Sequence, residues 1–592
     1  MSTNHPTHSA HHHASKFTHR DRTIALIVVA FAFVMDLLDN TIVNIAIPSI
    51  RENLGASYAT IQWLIAGYAL SFAVLLITGG RMGDVFGYKK LFMWGVGGFT
   101  LASLLSGLAW SSDVLIAARL LQGAMAALMV PQVMSLMQVM YKPHERGGVM
   151  GIFGALAGVA ASLGPVVGGI LIHFNIWGLD WRPIFLINIP VGLFALFMGW
   201  RYLPDGKSPH PLKLDIVGTF LIVIAMFLLV FPLIQGRDLD WPLWIYGLMV
   251  ASLPALATFI WWQNVKDKKD HSPLVVPALL KTRTFVTGLL VNIIFQGAMI
   301  GFFLPFTLII QVGFGYEVIK AALTGIPTAI GISVAMAVFS QKIIPKLGRY
   351  TMTIGTIIMA TGLVITYYFV NLHGLDTTPW EFVPGLLVTG AGMALIMSPM
   401  FSVVLTDVDP KHAGSASGVM NAVQQLGGAI GTALIGVFFF GQLVSHAPAS
   451  FQAVEPQVQK QLAQANIQEP MRSQIVNGAK TCFVDTNKEK DSTVTPDSCK
   501  KLEQPPQPTA AEKAQIARMS PEEIAIGHLA EAKASTAIKT TITDAVKKAN
   551  ADNFVSAFGI AVTFELVVLV IVFLLSFTLP RHIRPEAMQE GF

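Results

Sequence analysis

Charged residues are scarce in this chain: Asp, Glu, Lys and Arg make up only 13% of its 592 residues, where an ordinary soluble domain carries about 25%. That shortage excludes a water-soluble protein of this length. Cysteine is scarcer, with two residues, Cys482 and Cys499, both in one polar segment. No glycine-rich phosphate loop ending in Lys-Ser or Lys-Thr occurs, and no zinc-ligand spacing. No catalytic constellation appears either. An enzyme is therefore not expected, nor a cofactor or a bound metal, and energy for uphill work should come from an ion gradient rather than from ATP. The formal charge of +5 is no nucleic-acid signature, because the basic residues sit in short loops; no nucleic-acid partner is expected. No cleavable signal peptide is evident, since the first apolar run exceeds about 20 residues, follows Arg20 and Arg22 and carries acids.

What the chain has is hydrophobic length. Apolar residues make up 53% of it, with a mean hydropathy of +0.58. Runs of about 20 such residues recur, each long enough to cross a bilayer as a helix. This predicts an all-α polytopic membrane protein, and the runs number fourteen, the first over 24–48 and the last over 554–579. An even number puts both ends on one side. Lys and Arg crowd alternate loops (Arg81, Lys89 and Lys90; Lys142 and Arg146; Lys266, Lys268 and Lys269), while the others offer only Arg51, Arg182, Arg237 and Lys320. The positive-inside rule then makes both termini cytoplasmic.

Internal repetition sets the domain plan. "GGVMGIFGALAGVAASLG" in the fifth run aligns without gaps to "SGVMNAVQQLGGAIGTAL" in the thirteenth, pairing Gly148 with Gly418, Met150 with Met420 and Gly158 with Gly428. The offset corresponds to six spans plus two inserted ones, a parallel repeat about an axis along the membrane normal. The expected organisation is a disordered cytoplasmic tail over 1–22, a six-helix bundle over 23–206 and two inserted helices over 207–282. A second six-helix bundle follows over 283–441 and 554–580, then a cytoplasmic tail over 581–592. Residues 442–553 form a helical extracytoplasmic insertion, whose "SPEEIAIGHLAEAKASTAIKTTITDAVKKA" reads as one or two helices standing over the outer mouth and running into the last span. Its two cysteines, in an oxidising location, are expected to pair, with two free thiols as the alternative. The histidines of the first tail (His5, His8, His11, His12, His13, His19) have no acid or cysteine to complete a metal site.

The residues that cannot be there for packing are the acids of the first span, Asp36 and Asp39 in "FVMDLLDNTIVNIAIP". A carboxylate at the bilayer centre costs at least ~2.5–3.5 kcal/mol. Three residues apart, the two share a helical face, and Asn40 and Asn44 follow at helical spacing. That stripe belongs against a water-filled cavity or the bundle interior. Two readings stand: the acids bind a proton and a cation, or they merely pair with an arginine or a hydroxyl. Arg119 and Gln122 in "ARLLQGAMAA" are further polar intruders; the arginine needs an anionic partner, with Asp36 and Asp39 the natural candidates, or else snorkels to the interface. Glu565 sits near the middle of the last span, which is peripheral in this plan. Asn292, Gln296, Asn421, Gln424 and Gln425 line a cavity from the second half or bond between helices.

These motifs, in this order, resemble the major facilitator superfamily, and within it the fourteen-span drug:proton antiporters of the EmrB/QacA type. The likeness covers all the spans but not the first tail or the insertion. It implies cation recognition or coupling at Asp39, with Asp36 as an added acid that is itself the proton site or shares one proton with Asp39. It implies a role for Arg119 in proton transfer. "GGRMGDVFGYKK" resembles the superfamily's cytoplasmic loop, in which Gly80, Gly83 and Gly87 allow tight turns and close approach, Lys89 keeps a basic position, and Asp84 caps a helix and latches the halves. Val85 and Tyr88 replace basic residues usual in that pattern. "AGVAASLGPVVGGIL" resembles the antiporter motif, in which Gly164, Gly168 and Gly169 permit close packing and Pro165 bends the helix, a dry hinge that limits leak. "DWRPIFLINIPVG" and Asp215 with Gly218 look structural.

The expected function is export of drugs, lipophilic or quaternary cations and biocides, in exchange for protons across a bacterial inner membrane. The alternatives are a neutral or anionic cargo in the same fold, or a periplasmic sensing module on a vestigial transport core. The partners expected are the small-molecule substrate, protons and the bilayer, with a periplasmic adaptor left open.

Overall fold

The computed structural model describes residues 19–208, 213–339, 347–409, 412–469, 471–489, 494–503 and 521–581, and every regular element among them is helical. His5, His8, His11, His12 and His13, the loop lysines Lys342 and Lys346, and residues 582–592 lie outside the described residues.

The long helices in chain order are α1 (His19–Leu54), α2 (Tyr58–Phe86), α3 (Tyr88–Gly107), α4 (Ser112–Met140), α5 (Pro143–His173), α6 (Pro183–Tyr202, broken at Ile187), α7 (Ile216–Gln235) and α8 (Leu243–Asp270). There follow α9 (Arg283–Leu308), α10 (Val318–Met336, broken at Gly325), α11 (Arg349–His373), α12 (Pro379–Val404) and α13 (Ala413–Gln464). The insertion adds α14 (Met471–Lys488) and α15 (Asp497–Glu503), and α16 (Pro521–Ser576) closes the series. Among the described residues twelve helices are long and apolar enough to cross a bilayer. The third and fifth expected spans are helical too, α3 with 20 residues and α5 with 31, so a fourteen-span bundle is compatible with the structure.

Local signals place the ends. Ser57 Oγ accepts from Thr60 N at 3.1 Å and caps α2, and Ser111 does the same for α4. Gly87 joins α2 to α3 at φ +102°, a conformation that only glycine adopts without strain. The bundle surface carries an apolar belt that includes Trp94, Phe197, Phe220, Leu253, Trp261 and Val567, the face a bilayer would solvate.

Packing forms two groups. In the first, α1 lies on α5 and α6, α2 on α4, and α3 on α4 and α6. In the second, α9 lies on α13 and α16, α12 on α10 and α11, and α16 on α11 and α13. They meet along α2–α13 and α5–α10, while α7 pairs with α8 and leans on α2 and α13. Asp215 ties that hairpin together: Oδ1 accepts from Gly218 N and Trp262 Nε1, both at 2.9 Å, and Oδ2 from Gln263 Nε2 at 3.0 Å.

Four expectations change. Residues 19–22 are helix, not tail. Helix α13 runs unbroken through 442 for 52 residues, about 78 Å at the α-helical rise, and α16 spans 56 residues, so the insertion grows directly out of both. The helix expected before the last span is there and runs into it; the continuation of α13 was not expected, since outside the bilayer a helix needs no apolar run. The two extensions and α14 bury a small core of Phe451, Val458, Leu462, Val476, Phe483 and Ala549, and a disulfide joins Cys482 of α14 to Cys499 of α15. Arg81 is not a loop charge: it is buried, donating to Ser272 O at 2.8 Å and to Pro273 O, and so pins the chain after α8. Finally, α16 is not peripheral, being packed on α9, α11 and α13.

Candidate functional site

The polar centre is built on α1. Asp39 is 1% exposed and every partner it has comes from another helix. Arg119 of α4 pairs with Oδ2. Oδ1 accepts from Gln122 Nε2 at 2.7 Å and from Asn188 Nδ2 of α6 at 2.8 Å. Gln122 Oε1 accepts in turn from Arg119 Nη1 at 2.9 Å, and Ser103 Oγ of α3 lies within 2.9 Å of Gln122 Nε2 and 3.2 Å of Asn188 Nδ2. Arg119 Nε donates to Leu64 O of α2 at 3.2 Å, and its guanidinium lies 4.4 Å from the centre of the Tyr68 ring. The Tyr68 hydroxyl donates to Asp36. Helices α1, α2, α3, α4 and α6 thus converge on one buried ion pair, with the carboxylate and guanidinium both hydrogen-bonded, as a buried charge pair requires.

The structure pairs both acids, Asp39 with an arginine and Asp36 with a hydroxyl. Arg119, 1% exposed, does not snorkel. Asn40 and Asn44 are half-buried and make no side-chain hydrogen bond among the described residues, so they stay outside the cluster. Sequence reasoning missed Asn188, Tyr68 and Ser103. Asn188 lies inside "DWRPIFLINIPVG"; its only signal is an amide at the break in α6, in a segment that looks structural.

The glycine motif of α5 lies against α1 from the other side. A methyl group on Gly164 would stand 2.9 Å from Thr41 Cβ, and one on Gly168 would stand 2.7 Å from Ile42 and Ile45. Gly169 instead faces α10, where Ala322 Cβ would be 2.8 Å away. Pro165 is accommodated inside a continuous α5. The motif therefore brings α5 against α1 within the first group and against α10 across the groups.

The end of the bundle that bears the insertion is closed. Tyr58 of α2 stacks on Phe440 of α13 with ring centroids 4.0 Å apart. Arg51 lies 4.1 Å over the Tyr58 ring and Arg237 lies 5.3 Å from both rings. Below them Gln62 Nε2 donates to Thr432 O at 2.9 Å and Ala433 O at 3.3 Å, and Gln311 Nε2 donates to Ile45 O at 3.2 Å. At the opposite end Asp84 accepts from Tyr88 Oη at 3.0 Å, four residues away, and forms no ion pair among the described residues. Among the described residues no ion pair from Asp84 crosses between the groups. Gly83 faces the Gln132 side chain, Gly80 faces Pro131, and Lys89 is half-buried without an ion pair among the described residues.

The second group answers the Asp39 cluster differently. Glu565 of α16 is 0% exposed, and neither carboxyl oxygen has a hydrogen-bond partner among the described residues. Asn292 donates to Met420 O at 3.1 Å, Gln296 is buried with Oε1 unpartnered, and Asn421 is exposed and bonds only within its own helix. Gln424 and Gln425 are half-buried. Among the described residues no three His, Cys, Asp or Glu side chains gather as a metal cluster.

Comparison with known proteins gives a consistent set. The family profile described as Major Facilitator Superfamily matches residues 29–432. The chain is 35% identical over 571 residues to a Streptomyces coelicolor protein named "Probable actinorhodin transporter", covering 96% of this chain and 93% of that protein. It is 31% identical over 415 residues to the "Tetracenomycin C resistance and export protein" of Streptomyces glaucescens, covering 70% and 75%. Among solved structures, it superposes on a bacterial homolog of the human lysosomal transporter Spinster, in an inward-facing and occupied conformation, with a TM-score of 0.55. There the identity is 15% and the coverage 95% of this chain and 98% of the other, a likeness of fold.

Proposed function

The chain belongs to the Major Facilitator Superfamily, as a multi-pass membrane transporter of small molecules, and from that premise we propose that it is a proton-driven drug exporter of a bacterial inner membrane. The observation that carries the proton step is the Asp39–Arg119–Gln122–Asn188 cluster, a carboxylate and a guanidinium sealed at the meeting point of five helices. Arginine keeps its charge in proteins, so the carboxylate is the group that gains and loses a proton. A proton arriving from outside neutralises Asp39 or Asp36 and frees Arg119; substrate arriving from the cytoplasm favours the deprotonated acid. The two groups then rock about the α2–α13 and α5–α10 contacts. The insertion end corresponds to the outer face, which is closed here, with both termini cytoplasmic.

Relatives named for actinorhodin and tetracenomycin C support a drug-sized cargo, and the second, named for export, supports outward movement. Two intramembrane acids favour lipophilic cations. A second reading, a neutral or anionic cargo, is favoured by a specific observation: Arg119 already neutralises Asp39, so of the two first-span acids only Asp36 lacks an ion-pair partner. Resistance and dye efflux in a pump-deficient host, with Asp36→Asn and Asp39→Asn beside wild type, test the proposal. Loss of efflux in Asp39→Asn with normal membrane expression is the expected result. Full activity in both variants would remove the first span from coupling.

A further inference from the structure

Three helices enclose Glu565. A methyl group placed on Gly301 of α9 would stand 2.6 Å from Oε1 and 3.6 Å from Ile435 Cβ of α13, so the carboxyl fits the notch that this glycine leaves between α9, α13 and α16. Its neighbours along α16 are apolar: Phe558, Ala561, Val562, Val568 and Leu569 are all buried. A glutamate gives this interface nothing that leucine or methionine would not give better, and an ionised carboxylate without a partner is strongly disfavoured there. An ionisable side chain kept in such a place marks a functional site.

No charge lies close enough to compensate it. The α11 groups are Arg349, Tyr350, Tyr367, Tyr368 and His373. Arg349 bonds to Phe577 O and Leu579 O, about 18 Å or more along the axis from Glu565, and Tyr367 stands beside Gly559, about 9 Å along it. On α9 the charged residue is Arg283, at its first turn. On α13 they are His446, Glu455 and Lys460, all in the extension, with His446 paired to Asp552, about 20 Å along α16 from Glu565. None of them bonds to Glu565.

We propose that Glu565 is a second proton-binding site, in the second helix group, which holds its proton while the insertion end is closed and releases it to water when α9, α13 and α16 part. This rests on the proton-driven reading given above and adds to it: one proton site is kept by an ion pair, the other by dryness. Protonation lets the three helices close without a buried charge, so proton binding and closure favour each other.

Two measurements on the full chain in proteoliposomes test this. Infrared difference spectra of the outward-closed protein at neutral pH should show the carbonyl band of a protonated, unsolvated carboxylic acid that is missing in Glu565→Gln and shifted in Glu565→Asp. It should persist in Asp39→Asn. A spectrum unchanged by Glu565→Gln overturns the inference. In parallel, the ratio of proton-gradient-driven uptake to counterflow of tetraphenylphosphonium should fall about ten-fold in Glu565→Gln; being a ratio, it is insensitive to how much protein assembles. An unchanged ratio overturns the inference as well. If wild type shows no gradient dependence, the proton-driven reading fails, and the infrared band alone still decides whether Glu565 is a proton site.

Discussion

Asp39 and Glu565 are both sealed from solvent, at 1% and 0% exposure, yet one is surrounded by donors and the other by carbon. The first group spends an arginine, a glutamine and an asparagine on its acid; the second offers a glycine notch and apolar walls. A buried carboxyl can be met by donors or left among carbon, and Asp39 and Glu565 are one case of each. Equal burial therefore hides two unlike environments, and the neighbours distinguish them.

Substitutions separate the two environments by the size and sign of their effects. Arg119→Ala should be the most damaging, because it strands Asp39; a broken buried pair costs about 3–5 kcal/mol, so we expect a markedly lower melting temperature in detergent and no efflux. Asn188→Ala removes a hydrogen bond to the same carboxylate, worth about 1.5–3 kcal/mol. We expect efflux reduced but measurable, with the melting temperature falling less than for Arg119→Ala. Gly168→Val acts through packing: with Ile42 and Ile45 both 2.7 Å from the added carbon, α5 must move off α1, at about 1–3 kcal/mol, and transport should slow through the hinge with the ion pair intact. Glu565→Gln should show little loss of thermal stability, in contrast to all three, since no partner is orphaned. An Arg119→Ala protein as stable as wild type, or a Glu565→Gln protein as unstable as Arg119→Ala, would break the contrast. Cys499→Ser should do least to efflux: it opens a disulfide between residues 17 apart, worth about 3 kcal/mol to the insertion alone, and proteolysis of the α14–α15 region would report the change.

The fold was legible because membrane helices announce themselves by apolar length, and Asp39, Arg119 and Gln122 because charged or amide groups are expensive in such runs. Asn188, Tyr68 and Ser103 were not, since uncharged polar residues are common in membrane helices and only the third dimension shows which of them meet. Glu565 was visible as an acid but misplaced, because the repeat says nothing about how deeply α16 is wedged between α9, α11 and α13. The extension of α13 was hidden for the opposite reason: above the bilayer the hydrophobic signal stops while the helix does not, whereas that of α16 was legible from its Ser-Pro-Glu-Glu start and helical spacing. Arg81 shows the limit of charge counting, for a basic residue at a span end served as an anchor to Ser272 and Pro273 as well as a topology signal.

In the proposed cycle the Asp39–Arg119 pair is the proton-exchanging switch. The direct measurement is proton release from the purified protein in weakly buffered detergent solution when tetraphenylphosphonium is added, compared between wild type and Asp39→Asn. Wild type should release protons, Asp39→Asn should lose most of that release, and Asp36→Asn should be reduced to a smaller degree. Equal proton release by wild type and Asp39→Asn would contradict it.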